Sequence, residues 1–263
     1  MSKIKKLIIA LSFLNSFLLF ADPNTTMDKS KVNDSAIRNI NLNLKRNYEF
    51  ELNVSFSNIN IGKLKYSIDK NNMTIFSKTT LETNSFYDFI FKIRDELNSV
   101  FDIKKRRSSE FNFNKREGRK ESFVKMVFDD NKIHFSEKWK KKNKSGKKEK
   151  IYHPEGKDYF DILTMLNRAI FSECKFDKGD YFWLALKSNF YKILLKEKKI
   201  ITVKYKKKKV KAFKYKFSSF KGSKEEKKGD FSIVVIQGET PVFYELQGYL
   251  KIGKIKGISK YAR

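Results

Sequence analysis

Apolar and polar residues alternate strictly from Tyr48. Tyr48, Phe50, Leu52, Val54 and Phe56 fall on every second position, with Glu49, Glu51, Asn53 and Ser55 between them. A period of two places the two sets on opposite faces and predicts a half-buried β-strand. The parity then changes twice, first to Ile59 and Ile61, then to Leu64, Tyr66 and Ile68. Ser57-Asn58 supplies a turn for the first break. Gly62 supplies a bulge for the second, since it has no Cβ to resist an unusual backbone angle. Tyr48 to Ile68 thus reads as a hairpin whose second strand bends at Gly62.

Similar patterning continues along the chain. Met73 to Leu81 predicts a strand after a turn at Asn71-Asn72. Thr83 to Phe101 fits both periods: Asn84-Ser85 can cap a short helix, with a strand from about Arg94. Phe111 and Phe113 alternate up to a turn at Glu117-Gly118, Phe123 to Phe128 form a strand, and Ile133 to Trp139 return after Asp129-Asp130-Asn131. Such a meander favours antiparallel pairing. Lys140 to Lys150 reads as a charged hairpin tip or loop.

One helix is clear, from Asp158 to Phe171. Asp158 is placed to cap it and Asp161 to act as a capping-box acid. Tyr159, Ile162, Leu163, Leu166 and Ile170 form an apolar stripe at helical spacing. Strands follow at Tyr181 to Leu186, Tyr191 to Leu195, Ile200 to Tyr205, Val210 to Phe220 and Phe231 to Ile236, with turns at Asp177 to Asp180 and Glu225 to Gly229. In the last stretch Val242, Tyr244, Leu246, Leu250 and Ile252 share one parity, shifted at Gly253 to Ile255. The expected fold is mainly β: a curved antiparallel sheet or partly open barrel, with one clear α-helix over about 158–171.

The first 21 residues resemble a secretion signal: Lys3, Lys5 and Lys6, then a mostly apolar run from Leu7 to Phe20, then Ala21. The run is short for a spanning helix, which needs about 20 apolar residues. Residues 22–43 are polar and aperiodic and read as a flexible lead-in, leaving 44–263 as a single domain. The expected location is outside the cytoplasm, in the periplasm, with retention by an uncleaved N-terminal anchor as the alternative. No cysteine lies near this segment, which excludes a lipidated N-terminal cysteine.

Charge changes the expected partner. The net charge is +28, from 58 Lys and Arg against 30 Asp and Glu. Such a field attracts polyanions. An exported protein meets little nucleic acid, so none is expected as a partner. A lipid or anionic membrane surface, or another envelope protein, fits better. The densest patches contain Lys140, Lys141, Lys142, Lys147 and Lys148, and Lys206, Lys207, Lys208 and Lys209. Solvated hairpin tips and a lysine-rich coding bias would produce the same runs.

Catalytic chemistry is sparse. No nucleophile elbow, HExxH, P-loop or dinucleotide fingerprint occurs. One cysteine, Cys174, and two histidines, His134 and His153, do not compose a zinc site. A non-catalytic role without cofactor or metal is expected, with a structural or assembly factor engaging another envelope protein as the alternative and a hydrolase with an unrecognised site behind it. Phe occurs 25 times, and inward aromatic rows can either fill a barrel or line a cavity for an apolar or amphiphilic molecule. The candidate lining is Tyr48, Phe50, Phe56, Tyr66, Tyr159 and Leu163. Asp161 and Arg168 share a helix face, either serving the helix ends and a local ion pair or lining a site as a polar pair.

Several of these motifs together resemble the bacterial exported proteins of domain of unknown function 3108 (DUF3108). The resemblance rests on Tyr48-Glu49-Phe50, on Ile59-Asn60-Ile61-Gly62, on a helix with Asp161 near its start and Arg168 near its end, on Gly179 before Tyr181 to Leu186, and on Pro241, Ile252 and Gly253. A tryptophan usual in the family is replaced at about Val235, and the long lysine runs also depart from the pattern. The resemblance spans roughly residues 48 to 258. It implies a periplasmic, mainly β protein and carries no established activity.

Overall fold

A computed structural model describes residues 47–153, 159–171, 177–187, 189–221, 226–238, 241–250 and 253–262. The expected signal segment, the lead-in, Asp158 and Cys174 lie outside the described residues. One sheet of fifteen strands dominates. The N-terminal half is a meander: β1 (Tyr48–Phe56), β2 (Ile59–Lys70), β3 (Thr74–Thr83), β4 (Arg94–Asp102), β5 (Arg107–Glu117), β6 (Lys120–Phe128), β7 (Ile133–Lys141) and β8 (Lys144–Tyr152). The short helix α1 (Ser85–Phe91) joins β3 to β4. The C-terminal half holds β9 (Tyr159–Phe160), helix α2 (Ile162–Phe171), β10 (Tyr181–Leu186), β11 (Asn189–Tyr205), β12 (Lys208–Lys221), β13 (Glu226–Ile236), β14 (Val242–Leu250) and β15 (Gly253–Ser259).

Strand β1 joins the halves by pairing with both β2 and β15, in register from Leu52 opposite Ser259 to Phe56 opposite Ile255. All strand neighbours are antiparallel except β9 and β10, which run parallel. The sheet edges are β8 and β9. Rings meet across this seam: Tyr152 lies 4.9 Å from Phe190, and Phe190 lies 4.7 Å from Tyr159. The edge strand β8 is lysine-rich and mostly exposed, a composition that discourages edge-to-edge pairing with another chain.

Antiparallel alternation assigns every turn to one of two ends. The first end, called the rim here, carries the Ser57-Asn58 turn, α1, Gly118-Arg119, Lys142-Asn143 and Lys187. The opposite end carries residues 71–73, 103–106, 129–132 and Lys206-Lys207.

The structure revises several local expectations. Ser57 and Asn58 do turn the first hairpin, both with positive φ (47° and 70°), which matches strand twist. The bulge falls at Ile61, where the register slips between Val54 and Ser55. Gly62 is needed for a different reason than backbone freedom: a Cβ there would sit 2.1 Å from the Glu82 carbonyl oxygen. Asn84 caps α1, its side chain accepting the Tyr87 N–H. Lys140 to Lys150 is mostly ladder rather than loop. Tyr191 to Tyr205 is one strand whose register shifts between Leu195 and Glu197. Glu226 to Gly229 belongs to β13. Tyr244 bulges from β14 where its pairing with β13 slips between Val234 and Val235, so Phe243 and Leu246 both reach the core, across the expected parity.

The clear helix begins at Ile162, not at Asp158. Tyr159 and Phe160 pair with Trp183 and Leu184 as a short strand, and Asp161 is the N-cap. Every residue from Leu163 to Phe171 is buried. The helix fills the barrel, and the inward rows of β1 to β7 and β10 to β14 close on it as one core. A second, smaller core of Val54, Phe56, Ile61, Leu81, Ile93 and Ile255 lies under α1 at the rim.

Candidate functional site: an apolar slot below the rim

Helix α2 is held inside the barrel by a set of buried polar contacts. Asp161 is fully buried. Its Oδ1 accepts the N–H groups of Leu163 (2.8 Å) and Thr164 (3.0 Å). Its Oδ2 accepts hydroxyls from Ser99 (2.7 Å), Ser108 (2.6 Å) and Thr164 (2.8 Å). Five donors fill the carboxyl group's hydrogen-bonding positions, and Arg168 is not among them. Arg168 instead donates to the Arg106 carbonyl at 3.1 Å, and its guanidinium lies 4.2 Å from the Phe160 ring centre. The expected polar pair is therefore two separate anchors, one on β4 and β5 and one beside β9.

A third anchor comes from Tyr66. Its hydroxyl donates toward Asn167 and the Leu163 carbonyl, and Asn167 Nδ2 donates to Ser77 Oγ at 2.7 Å. Burial pushes the Tyr66 phenol far above its ordinary range, so it remains a neutral donor.

Between α2 and the rim the packing leaves an apolar slot of about 110 Å³. Its walls include Leu52, Val54, Leu64, Leu81, Leu97 and Phe113, with Leu163 and Leu166 of α2 as the floor. The reason lies in residue size. Along the slot, inward positions fall from Tyr48 and Phe50 to Leu52 and Val54 on β1, and from Tyr66 to Leu64 on β2, before Phe56 and Ile61 of the rim core close it above. Two further polar side chains stand on this wall: Asp95, buried, whose Oδ1 accepts the Arg116 N–H at 2.8 Å, and Thr79, only 5% exposed, whose hydroxyl has no hydrogen-bond partner among the described residues. Beside the slot, Lys187 Nζ lies 5.5 Å from the Phe113 ring centre. Burial, and then the charge of Lys115, hold the Lys187 ammonium below the ordinary lysine range. Lys115 itself pairs with Glu117 at 2.6 Å.

Of the six expected lining residues, Tyr66 and Leu163 line this slot. Tyr48 packs on Phe171 at 4.9 Å, and Phe50 stacks with Tyr66 at 6.2 Å, lower in the core. Phe56 belongs to the small core under α1. Tyr159 lies at the seam. Sequence reasoning favoured aromatics, which fill space; the slot exists where aliphatics replace them. That signal was present in the falling side-chain size along β1 and β2.

The two lysine patches do not form one surface. Lys140, Lys141 and Lys142 lie at the rim, and Lys147 and Lys148 along the edge strand β8. Lys206, Lys207, Lys208 and Lys209 lie at the opposite end, where Lys206 Nζ sits 5.2 Å from the Tyr261 ring. A wider, more polar groove of about 810 Å³ runs beside Glu51, Lys65, Tyr205 and Lys260. Among the described residues, no three His, Cys, Asp or Glu side chains gather as metal ligands would.

A family model described as "Protein of unknown function (DUF3108)" matches residues 48–256. The chain belongs to the DUF3108 family. In the DUF3108 chain the matched span runs from the first strand into the last, so it includes α2 and all of the slot's lining except Gly257. A solved structure with a similar fold is a β-barrel-like protein of domain of unknown function DUF1849 from Brucella abortus. The two share 9% identity and superpose with a TM-score of 0.52, over 80% of the DUF3108 chain and 94% of the other. This likeness shows the fold alone. A search of curated proteins found no match.

Proposed function

We propose that this DUF3108 protein is a non-catalytic binding protein of the cell envelope, which takes the apolar end of an amphiphilic molecule into the slot below its rim. One observation carries the reading: an apolar space with a single unpartnered hydroxyl, Thr79, on its wall. A buried hydroxyl without a partner costs about 1–3 kcal/mol. A ligand oxygen or a water would relieve that cost. The slot is somewhat smaller than the roughly 150 Å³ apolar cavity known to accept a benzene-sized guest. It therefore suits a small apolar group or the last carbons of a chain, not a whole lipid. The export-like N-terminal segment supports an envelope location. The full hydrogen-bonding of Asp161 supports a structural rather than catalytic carboxyl group.

The test is native mass spectrometry on protein purified from its own envelope, alongside binding of a medium-chain fatty acid. Leu97→Trp is expected to fill the slot and weaken fatty-acid binding by about tenfold or more, the effect of losing one buried apolar group. Unchanged binding in Leu97→Trp, or a wild-type protein that neither co-purifies with nor binds any amphiphile, would remove the proposal.

A further inference from the structure

We propose that the rim end is a docking face for an anionic lipid bilayer, with α1 as its inserted element. This deepens the binding reading, on which it rests for the reason a membrane is met: the slot lies below the same rim. Helix α1 reads SFYDFIF. Tyr87 and Phe91 turn inward onto the small rim core. Phe86 and Phe89 turn outward, 70% and 95% exposed. Ile59, on the adjoining hairpin, is 52% exposed. Asn84 connects the two, its N–H donating to the Ile61 carbonyl and its side chain to the Asn60 carbonyl.

These rings are not on a loose loop. Asp88 of α1 pairs with the Arg94 guanidinium through both oxygens and accepts the Thr83 hydroxyl. Arg94 also donates to the carbonyls of Thr83 and Ile93. The helix is clamped with two phenylalanines facing solvent. Rigidly presented, exposed apolar groups mark an interaction surface rather than a packing accident.

Charge identifies the partner. Lys92, Arg119, Lys120, Lys140, Lys141 and Lys142 surround α1 or share its end of the sheet, and the Lys92 carbonyl accepts the Gly118 N–H. Two acids at α1 are engaged, Asp88 with Arg94 and Glu117 with Lys115. Exposed Glu82 and Glu121 are outnumbered by the cations. The opposite end mixes Lys104, Lys105, Lys132, Lys206 and Lys207 with exposed Asp129, Asp130 and Asp177, the last two paired with Arg107 and Lys198; what sets the rim apart is the pair of outward rings on α1 beside its cations. Phenylalanines inside a ring of cations fit an anionic headgroup layer, where rings enter the acyl boundary and lysines meet phosphate. The barrel wall does not suit insertion, because Lys65, Lys78, Glu96, Glu110 and Lys125 occupy its outer face, where a membrane barrel carries an apolar band.

The experiment is vesicle co-sedimentation of the protein as processed in its own host. Vesicles of phosphatidylcholine with and without phosphatidylglycerol are compared at low and high salt. The wild type is expected to sediment with the anionic vesicles and to be released by salt. The Phe86→Ser/Phe89→Ser double variant is expected to lose about tenfold or more in vesicle affinity. It should keep its unfolding midpoint and fatty-acid binding, which separates this inference from the slot. Lys140→Glu/Lys141→Glu/Lys142→Glu is expected to reduce binding to anionic vesicles. Lys207→Glu/Lys208→Glu/Lys209→Glu is expected to leave it near wild type. Wild-type binding by the α1 variant, loss of binding in the opposite-end variant, or a wild type that ignores vesicles and instead binds an envelope protein would each overturn the inference.

Discussion

Replacing Asp161 with alanine would leave a cluster of donors unpaired inside the barrel. Five donors converge on its carboxyl group: two backbone N–H groups from the first turn of α2, and the hydroxyls of Ser99, Ser108 and Thr164. Loss of the cap alone costs about 1 kcal/mol. Each buried donor left unsatisfied adds about 1–3 kcal/mol. The hydroxyls can partly serve one another, since Ser108 Oγ lies 3.1 Å from Thr164 Oγ1, so the losses do not add in full. We expect Asp161→Ala to cost about 3–5 kcal/mol, a large share of the 5–15 kcal/mol typical of a folded domain.

Asp161→Asn keeps one oxygen for the two N–H groups and turns its NH₂ toward hydroxyl oxygens that can accept. It should cost about 1–2 kcal/mol. The decisive comparison adds Ser99→Ala and Ser108→Ala to Asp161→Ala. Removing the stranded hydroxyls should recover about 1–2 kcal/mol, even though each serine substitution alone destabilises. Urea unfolding followed by the fluorescence of Trp139 and Trp183 measures all four proteins. An Asp161→Ala loss below about 1 kcal/mol, or serine changes that only add to it, would show that the cage is not what holds α2.

Two further outcomes follow from local geometry. Gly62→Ala should destabilise by about 2–3 kcal/mol, because the new methyl group meets the Glu82 backbone carbonyl and no side chain can give way; an unchanged urea midpoint would contradict the contact. Asp88 is held below the ordinary carboxylate range chiefly by its hydrogen bonds from Arg94. Its contribution is present above the unfolded value near pH 4 and disappears as pH falls through the lowered folded value. The stability gap between wild type and Asp88→Asn should be at most about 1 kcal/mol at pH 7, as the pair is partly exposed, and should close below pH 4. A gap that widens in acid would reverse the assignment.

Local pattern was enough to read most of the strands, the Ser57-Asn58 turn and the Asn84 cap, because side-chain period and turn chemistry depend on a few neighbouring residues. It also carried the family motifs and the excess of positive charge. The pairing of β1 with β15 joins residues about two hundred positions apart, and no short-range pattern encodes it. That pairing and the curl of the sheet decide which ends the lysines occupy, and they separate Lys140 to Lys142 from Lys206 to Lys209. They also bring Ser99 and Ser108 to Asp161, so a carboxyl group expected to serve the helix end or to line a site as a polar pair with Arg168 caps the helix as a buried anchor. The slot has the same origin: a void is a difference between the volume enclosed by many strands and the volume of the side chains that fill it, and only the assembled barrel sets both.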